Sequence, residues 1–157
     1  MVITFYKRKN QGLTLFVSII IMGTLLLIAT SVASLAVKQA LISSTALKSQ
    51  YAFYAADTGL ECALYWDIKN PSGVSAFATT TGTTINCNQD ANNSGNQWVV
   101  GGNAVSVINR INFLPDPYCA IVTVTKTGNS TLIESKGYNT CSLTDPRRVE
   151  RAVKATY

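Results

Sequence analysis

The stretch Leu13–Val37, LTLFVSIIIMGTLLLIATSVASLAV, is an apolar run of 25 residues that contains no charged side chain. As an α-helix it would reach about 37 Å, because each residue adds 1.5 Å. The hydrocarbon core of a bilayer is roughly 30 Å thick, so the run is long enough to cross it with some tilt. The sequence therefore predicts a membrane-spanning helix over residues 13–37.

The helical pattern continues past this run as an amphipathic helix over residues 38–66. Apolar residues recur on one face at the helical period: Leu35, Ile42, Ala46, Phe53, Ala56, Leu60 and Ala63. The other face carries Lys38, Ser44, Lys48, Asp57 and Glu61. Asn70-Pro71-Ser72-Gly73 ends the helix, because proline cannot donate the helical hydrogen bond. We expect the stripe between Ile42 and Leu64 to pack on the rest of the chain.

Residues 67–157 have the pattern of an antiparallel β domain. Polar loop residues fill 89–96, and a period of two begins at Gln97. The strand candidates are Thr84–Asn88, Trp98–Val100, Ala104–Phe113, Tyr118–Thr127, Ser130–Tyr138 and Arg148–Tyr157. Gly128-Asn129 predicts the turn of a hairpin. A long N-terminal helix followed by antiparallel strands indicates an α+β fold with the sheet packed on the helix.

The charge of the chain is concentrated at its N-terminus. Of the formal net charge of +5, Lys7, Arg8 and Lys9 supply three, which leaves +2 for residues 10–157. No basic stripe remains for a nucleic acid, which is therefore an unlikely partner. Basic residues before a membrane span instead favour an N-terminus in the cytoplasm and a domain on the outer side.

Four cysteines, Cys62, Cys87, Cys119 and Cys141, lie on the outward side of the predicted span, and the chain has no histidine. An even count in an exported domain favours two disulfides over free buried thiols or a metal site. Three connectivities are open. We choose the adjacent pairs, Cys62–Cys87 and Cys119–Cys141, which close loops of roughly 25 residues, each worth about 3 kcal/mol in the chain-entropy model.

The sequence does not support a catalytic function. Without histidine, a serine or cysteine nucleophile lacks its usual base, so we predict no enzyme and no catalytic residue. Asp57, Glu61 and Asp67 are interpreted as surface charges of the helix. Asp116 and Asp145 stand beside prolines and are interpreted as turn residues rather than calcium ligands. We therefore expect no metal site and no cofactor.

The N-terminus also resembles the processing site of type IV prepilins. Lys7–Leu15, KRKNQGLTL, is similar to the family's basic leader, its glycine and the Phe-Thr-Leu-Ile-Glu that follows. The segment Ala52–Glu61, AFYAADTGLE, is similar to the AF-x-AAE-x-G segment of minor pilins related to the tip pseudopilins of type II secretion. Ile133–Tyr138 and Arg147–Glu150 resemble the S-x-G…R ending of those proteins.

The resemblance implies a cleaved cytoplasmic leader over residues 1–12. Prepilin peptidase would cut after Gly12, the last leader residue, and Leu13 would become the methylated N-terminus. The helix over 13–37 would wait in the membrane and then pack with the helices of other pilin subunits. The resemblance thus implies a single-pass membrane protein that becomes part of an extracellular filament for adhesion, DNA uptake, motility or secretion.

One residue departs from the family pattern and narrows the expected position of this subunit in a filament. The fifth mature residue is normally a glutamate, which is thought to neutralise the N-terminal ammonium of a neighbouring subunit; here it is Val17. An unpaired charge in an apolar core is costly. Val17 therefore favours a minor or tip component over a repeating shaft subunit.

The N-terminus allows two other interpretations. Ser31-Val32-Ala33 and Ser34-Leu35-Ala36 pass as signal-peptide cleavage sites. However, the apolar run is longer than the 7–15 residues typical of a signal peptide. An unprocessed single-span anchor for an extracellular binding domain explains the span but not Gly12 or the uninterrupted helix. It is the alternative to the pilin hypothesis.

Overall fold

The computed structural model describes residues 11–157 and shows an α+β fold, in which one long N-terminal helix packs against antiparallel β-sheets. The basic residues Lys7, Arg8 and Lys9, and most of the predicted leader 1–12, lie outside the described residues. Helix α1 spans Gln11–Leu64 and continues into a π-helical turn, Tyr65–Lys69. The six strands are β1 (Gly82–Asn86), β2 (Gln97–Gly101), β3 (Val105–Asn112), β4 (Cys119–Thr127), β5 (Ser130–Tyr138) and β6 (Glu150–Thr156).

The chain divides into two compact units. The first ends at Ser44, and its described part is helical with exposed side chains from Leu13 onward. The second, Thr45–Tyr157, holds the remainder of α1 and all six strands. The last part of α1 belongs to the same unit as the strands, because the side chains that it buries are part of their core.

The strands form two antiparallel sheets. β1 pairs with β2, and the larger sheet has the order β3-β4-β5-β6. Gly128 and Asn129 join β4 to β5 as predicted, and Val122 lies opposite Ser135 in that hairpin. The register of β3 against β4 shifts between Ile108 and Ile111, where two residues form a β-bulge. Each of the six strands lies within a few residues of its predicted position.

Helix α1 meets the sheet through small residues. Ala52, Ala55, Ala56, Gly59 and Ala63 are buried on the helix side. On β5, a Cβ added to Gly137 would collide with the backbone of Ala52 and Ala56. We call these five helix residues and Gly137 the small-residue seam; they allow the two backbones to approach closely.

The predicted docking stripe on α1 is partly wrong. Ala56, Leu60 and Ala63 are buried, whereas Ile42 and Phe53 are 70% and 48% exposed. A ring at position 53 does not fit where helix and strand backbones nearly touch, and the buried face begins only at Ala52.

The helix ends where the sequence predicts. Asn70 leaves the helix with φ −46° and ψ 127°. The residue before a proline is driven to extended ψ by the proline ring, and Pro71 follows. The Asn70 side chain then donates to Val74 O at 2.8 Å and fixes the turn.

The core of the second unit lies between the sheets and α1. Its largest fully buried side chains are Phe77, Ile85, Ile108, Ile111, Val122, Val124 and Ile133. Two disulfides border it and pair the same cysteines as the sequence-based choice. Cys62–Cys87 joins α1 to the end of β1 with 5.9 Å between the Cα atoms, and Cys119–Cys141 joins the two ends of the β4–β5 hairpin with 5.6 Å.

Candidate functional site

The apolar segment Leu13–Val37 is the most distinctive surface among the described residues. Its helix has an 18-residue window of mean hydropathy 2.5, and none of that window is buried, so it has the length and composition to cross a membrane. Three hydroxyls in this segment donate to carbonyl groups of the preceding helical turn: Ser18 to Leu15 O, Thr24 to Ile21 O and Ser31 to Leu27 O. Polar groups paired in this way are tolerated in lipid.

The predicted processing residues lie in the first turns of this helix. α1 begins at Gln11, so the Gly12–Leu13 junction belongs to its first turn. Leu13 and Val17 are exposed, at 66% and 45%. Val17 therefore presents an isopropyl group on the exposed surface of the helix. The first charged residue of the described helix is Lys38.

An exposed group of aromatic rings was not predicted by the sequence. The rings of Tyr51 and Tyr118 stack with centroids 5.2 Å apart, and the Phe113 ring lies 6.5 Å from Tyr118. Together with Tyr54 they line a pocket of about 200 Å³. We call these four residues the aromatic patch. Residues 51 and 118 are far apart in sequence, so only the fold brings them together.

Two asparagines hold the chain that carries Phe113. Asn93 accepts from Leu114 N at 2.9 Å and donates to Leu114 O at 3.1 Å. Asn96 does the same with Asn112, at 3.0 and 2.7 Å. Each buried amide thus pairs with a backbone N–H and C=O as a strand would. The loop over 89–96, predicted from composition, therefore acts as an ordered clamp.

The prediction that Asp67 is a surface charge is wrong. Its side chain is 2% exposed, and Lys126 Nζ donates to both of its oxygens at 2.7 Å. The third donor of Lys126 reaches Thr131 Oγ1 at 2.7 Å. The Ser75 and Tyr157 hydroxyls also donate to Asp67. The π-helical turn places Asp67 on the inner side, a position that a regular helical period does not predict.

This buried cluster shifts two pKa values. Burial by itself raises the pKa of Asp67, but hydrogen bonds from Lys126, Ser75 and Tyr157, together with the Lys126 charge, hold it below its ordinary value. Asp67 lies thirty residues beyond the apolar segment, so these pKa values concern groups outside the predicted membrane span. Burial, then the hydrogen bond to Asp67, raises the pKa of Tyr157 well above its usual range. Asp67 is therefore charged and Tyr157 neutral near pH 7. The cluster joins the helix end to β4, β5 and the strand end after β6.

The four other acidic residues singled out in the sequence lie on the surface of α1 or in turns. Glu61 is exposed and Asp57 half-buried on α1. Asp145 accepts from Arg147 N at 2.8 Å, and Asp116 N donates to Phe113 O at 3.0 Å, so both lie in turns as predicted. Within residues 11–157, no three carboxylates or thiols gather in a way that could hold a metal ion.

Comparison with known proteins found no relative of this chain. No protein-family model matches this chain, and no curated protein or solved structure matches it.

Proposed function

We propose that this chain is a minor type IV pilin or pseudopilin. It is inserted with its N-terminus in the cytoplasm, cut by prepilin peptidase between Gly12 and Leu13, and assembled through α1 into an extracellular filament. The observation that carries the proposal is the uninterrupted helix Gln11–Leu64. Its first part is apolar and exposed, and its last part packs under an antiparallel sheet.

The proposed mechanism is association rather than catalysis. In the membrane, the side chains of Leu13–Val37 contact lipid. Lipid tails are as apolar as these side chains, so they do not favour one face of the helix over another. When the helix leaves the bilayer, this surface must contact like helices, because exposing it to water costs about 25 cal/mol per Å² of apolar area. Burial against neighbouring subunits removes that cost. A helix without a charge over residues 13–37 fits both environments.

The position in the filament follows from Val17. A subunit without the glutamate cannot neutralise the ammonium group of its neighbour in an apolar core. One that is surrounded on all sides by shaft subunits would therefore leave a charge unpaired. A minor subunit, present once at a tip or in few copies, avoids this penalty. The chain's function in adhesion, DNA uptake, motility or secretion would then belong to the second unit, Thr45–Tyr157.

The junction can be tested with a pair of glycine variants. Gly12→Val should block processing, because the peptidase requires a small residue before the cut. The full-length chain should then accumulate in the membrane and be missing from filaments sheared off the cell surface. Gly23→Val is the matched control, since the same change lies inside the same helix and its added Cβ meets no atom within 4 Å. It should be processed normally.

Two results would overturn the proposal. If Gly12→Val chains are shortened and can be sheared from the cell surface like the unsubstituted protein, the Gly12–Leu13 junction is not the processing site. A chain that stays full-length in cells with an active peptidase would support the alternative, an unprocessed single-span anchor for an extracellular binding domain.

A further inference from the structure

A polar groove lies over the start of β4. It encloses about 350 Å³ and is lined by Asn109, Arg110, Cys119, Ile121, Cys141, Leu143 and Arg148. We call it the arginine groove. Two of these side chains carry a positive charge and none carries a negative one. The lining thus has a charge of +2 in a unit whose ion pairs lie elsewhere.

Arg110 is held in an unusual backbone conformation. It lies in the bulge of β3 and has φ +53°, in the left-handed region that favours glycine. A side chain larger than that of glycine costs free energy there, and bulges commonly re-aim side chains at binding sites. Arg110 takes part in none of the three ion pairs found among residues 11–157. The strained position therefore presents a free guanidinium to the groove.

Arg148 is held by an aromatic ring instead of a carboxylate. Its guanidinium carbon lies 3.7 Å from the centroid of the Tyr138 ring. Its Nε is buried and has no hydrogen-bond partner among the described residues. The carboxylate beside Tyr138 belongs to Glu150, which lies 3.9 Å from Lys136. A buried N–H without an acceptor is costly, and an anion bound beside Arg148 Nε lowers that cost.

The arginine groove is preorganised by covalent and hydrogen bonds. The Cys119–Cys141 disulfide joins its two sides. The loop that carries Arg148 is fixed by Asn139, which accepts from Val149 N at 2.6 Å and donates to Arg147 O at 3.4 Å. Arg148 N also donates to Asp145 O at 3.1 Å. Little ordering is thus left to be done on binding, which favours affinity.

We propose that the arginine groove binds one oxyanion group, a carboxylate or a phosphate ester, on a molecule outside this chain. A guanidinium fork matches both groups with two parallel hydrogen bonds. The Asn109 amide adds a donor and an acceptor, while Ile121 and Leu143 contact the carbon atoms that carry the anion. This inference is independent of the filament proposal, because it needs only the second unit.

The test uses three water-soluble probes on the same sugar ring. Glucose 6-phosphate supplies a phosphate ester, glucuronate a carboxylate, and glucose neither. Each is titrated into the full chain in a nonionic detergent, with the Arg Nε–H signals followed by NMR. We expect saturable binding of at least one anion, at least tenfold tighter than glucose. The stronger of the two identifies the kind of oxyanion.

Three variants locate the site. Arg110→Gly and Arg148→Gln should each weaken binding at least tenfold, whereas Arg147→Ala, an exposed neighbour outside the lining, should not. Arg110→Gly should also keep or raise the unfolding midpoint, because glycine adopts φ +53° without strain. Lost binding with unchanged stability separates a ligand role from a structural one.

Three outcomes would overturn the inference. The first is no saturable binding of either anion, and the second is equal binding by wild type and both groove variants. The third is a short DNA duplex that binds far more tightly than either sugar and is indifferent to Arg110 and Arg148. That result would indicate a diffuse polyanion surface.

Discussion

At the scale of single residues, Asp67 determines how the helix end is attached. Its carboxylate is buried and accepts from Lys126, Ser75 and Tyr157, which come from three other parts of the chain. A sequence shows only that an acidic residue follows an amphipathic helix. Burial of its carboxylate depends on a lysine 59 positions later, and no local pattern connects the two.

Removing this charge should be costly. Asp67→Asn leaves the Lys126 ammonium in a mostly buried site without a counter-charge, so we expect the free energy of unfolding to fall by about 3 kcal/mol. Glu134→Gln is the control, because it breaks the partly exposed pair with Lys154 at 3.5 Å, which is worth under about 1 kcal/mol. Trp66 and Trp98 fluorescence in urea reports both values. Equal losses would contradict the buried-pair account.

The same cluster gives the stability a pH dependence. The pKa of Asp67 is lower in the folded chain than its ordinary value of 3.8, so its contribution is present above about pH 4. That contribution is lost as the pH falls through the folded pKa. The Tyr157 pKa is raised from 10.0, so its contribution is present below pH 10 and is lost at higher pH.

Urea unfolding at several pH values tests both signs. The stability difference between wild type and Asp67→Asn should shrink as the pH falls from about 4 through the lowered pKa of folded Asp67, because the carboxyl then becomes neutral like the asparagine amide. Tyr157→Phe should lessen the loss of stability above pH 10. A difference between wild type and Asp67→Asn that stays constant from pH 7 to pH 2 would show that folding does not lower the pKa of Asp67.

At the scale of elements, the small-residue seam controls how α1 meets the sheet. Gly137→Ala would place a methyl group against the backbone of Ala52 and Ala56, which cannot move as a side chain can. We expect a loss of about 1–3 kcal/mol from overpacking. Gly95→Ala is the control, since its added Cβ meets no atom within 4 Å. If both variants unfold at the same urea concentration, helix and strand are not in close contact.

The disulfides join elements that are distant along the chain. Cys62–Cys87 closes a loop with a sequence separation of 25 between α1 and β1. Replacing both cysteines by serine should lower the free energy of unfolding by about 3 kcal/mol. Thiol alkylation followed by mass measurement should find no free thiol in the unsubstituted chain. Two or four alkylated cysteines would contradict the pairing.

The sequence predicts the elements well because their signals are local. Alternation and Gly128-Asn129 predict the β4–β5 hairpin, and Asn70-Pro71 predicts the end of the helix. The buried face of α1 was harder. Phe53 is apolar and in phase with the stripe, yet the fold buries alanines and glycine, because the close approach of Gly137 leaves no space for a ring.

At the scale of the whole molecule, the sequence alone identifies the apolar segment and the resemblance to a prepilin leader, whereas it does not identify the surfaces of the second unit. The aromatic patch and the arginine groove combine residues from α1, β-strands and loops. Arg110 has an ordinary place in an alternating strand, and only the backbone shows its positive φ. Such sites arise from tertiary contacts that periodicity does not encode.

The N-terminal residue of the membrane-extracted protein tests the central claim most directly. Intact-mass measurement should show a chain that begins at Leu13, has lost residues 1–12 and carries one added methyl group. A chain that still begins at Met1 would contradict the account and leave a simple membrane anchor. A chain that begins near Ser34 or Val37 would contradict it as well, since it would identify the apolar segment as a cleaved signal peptide.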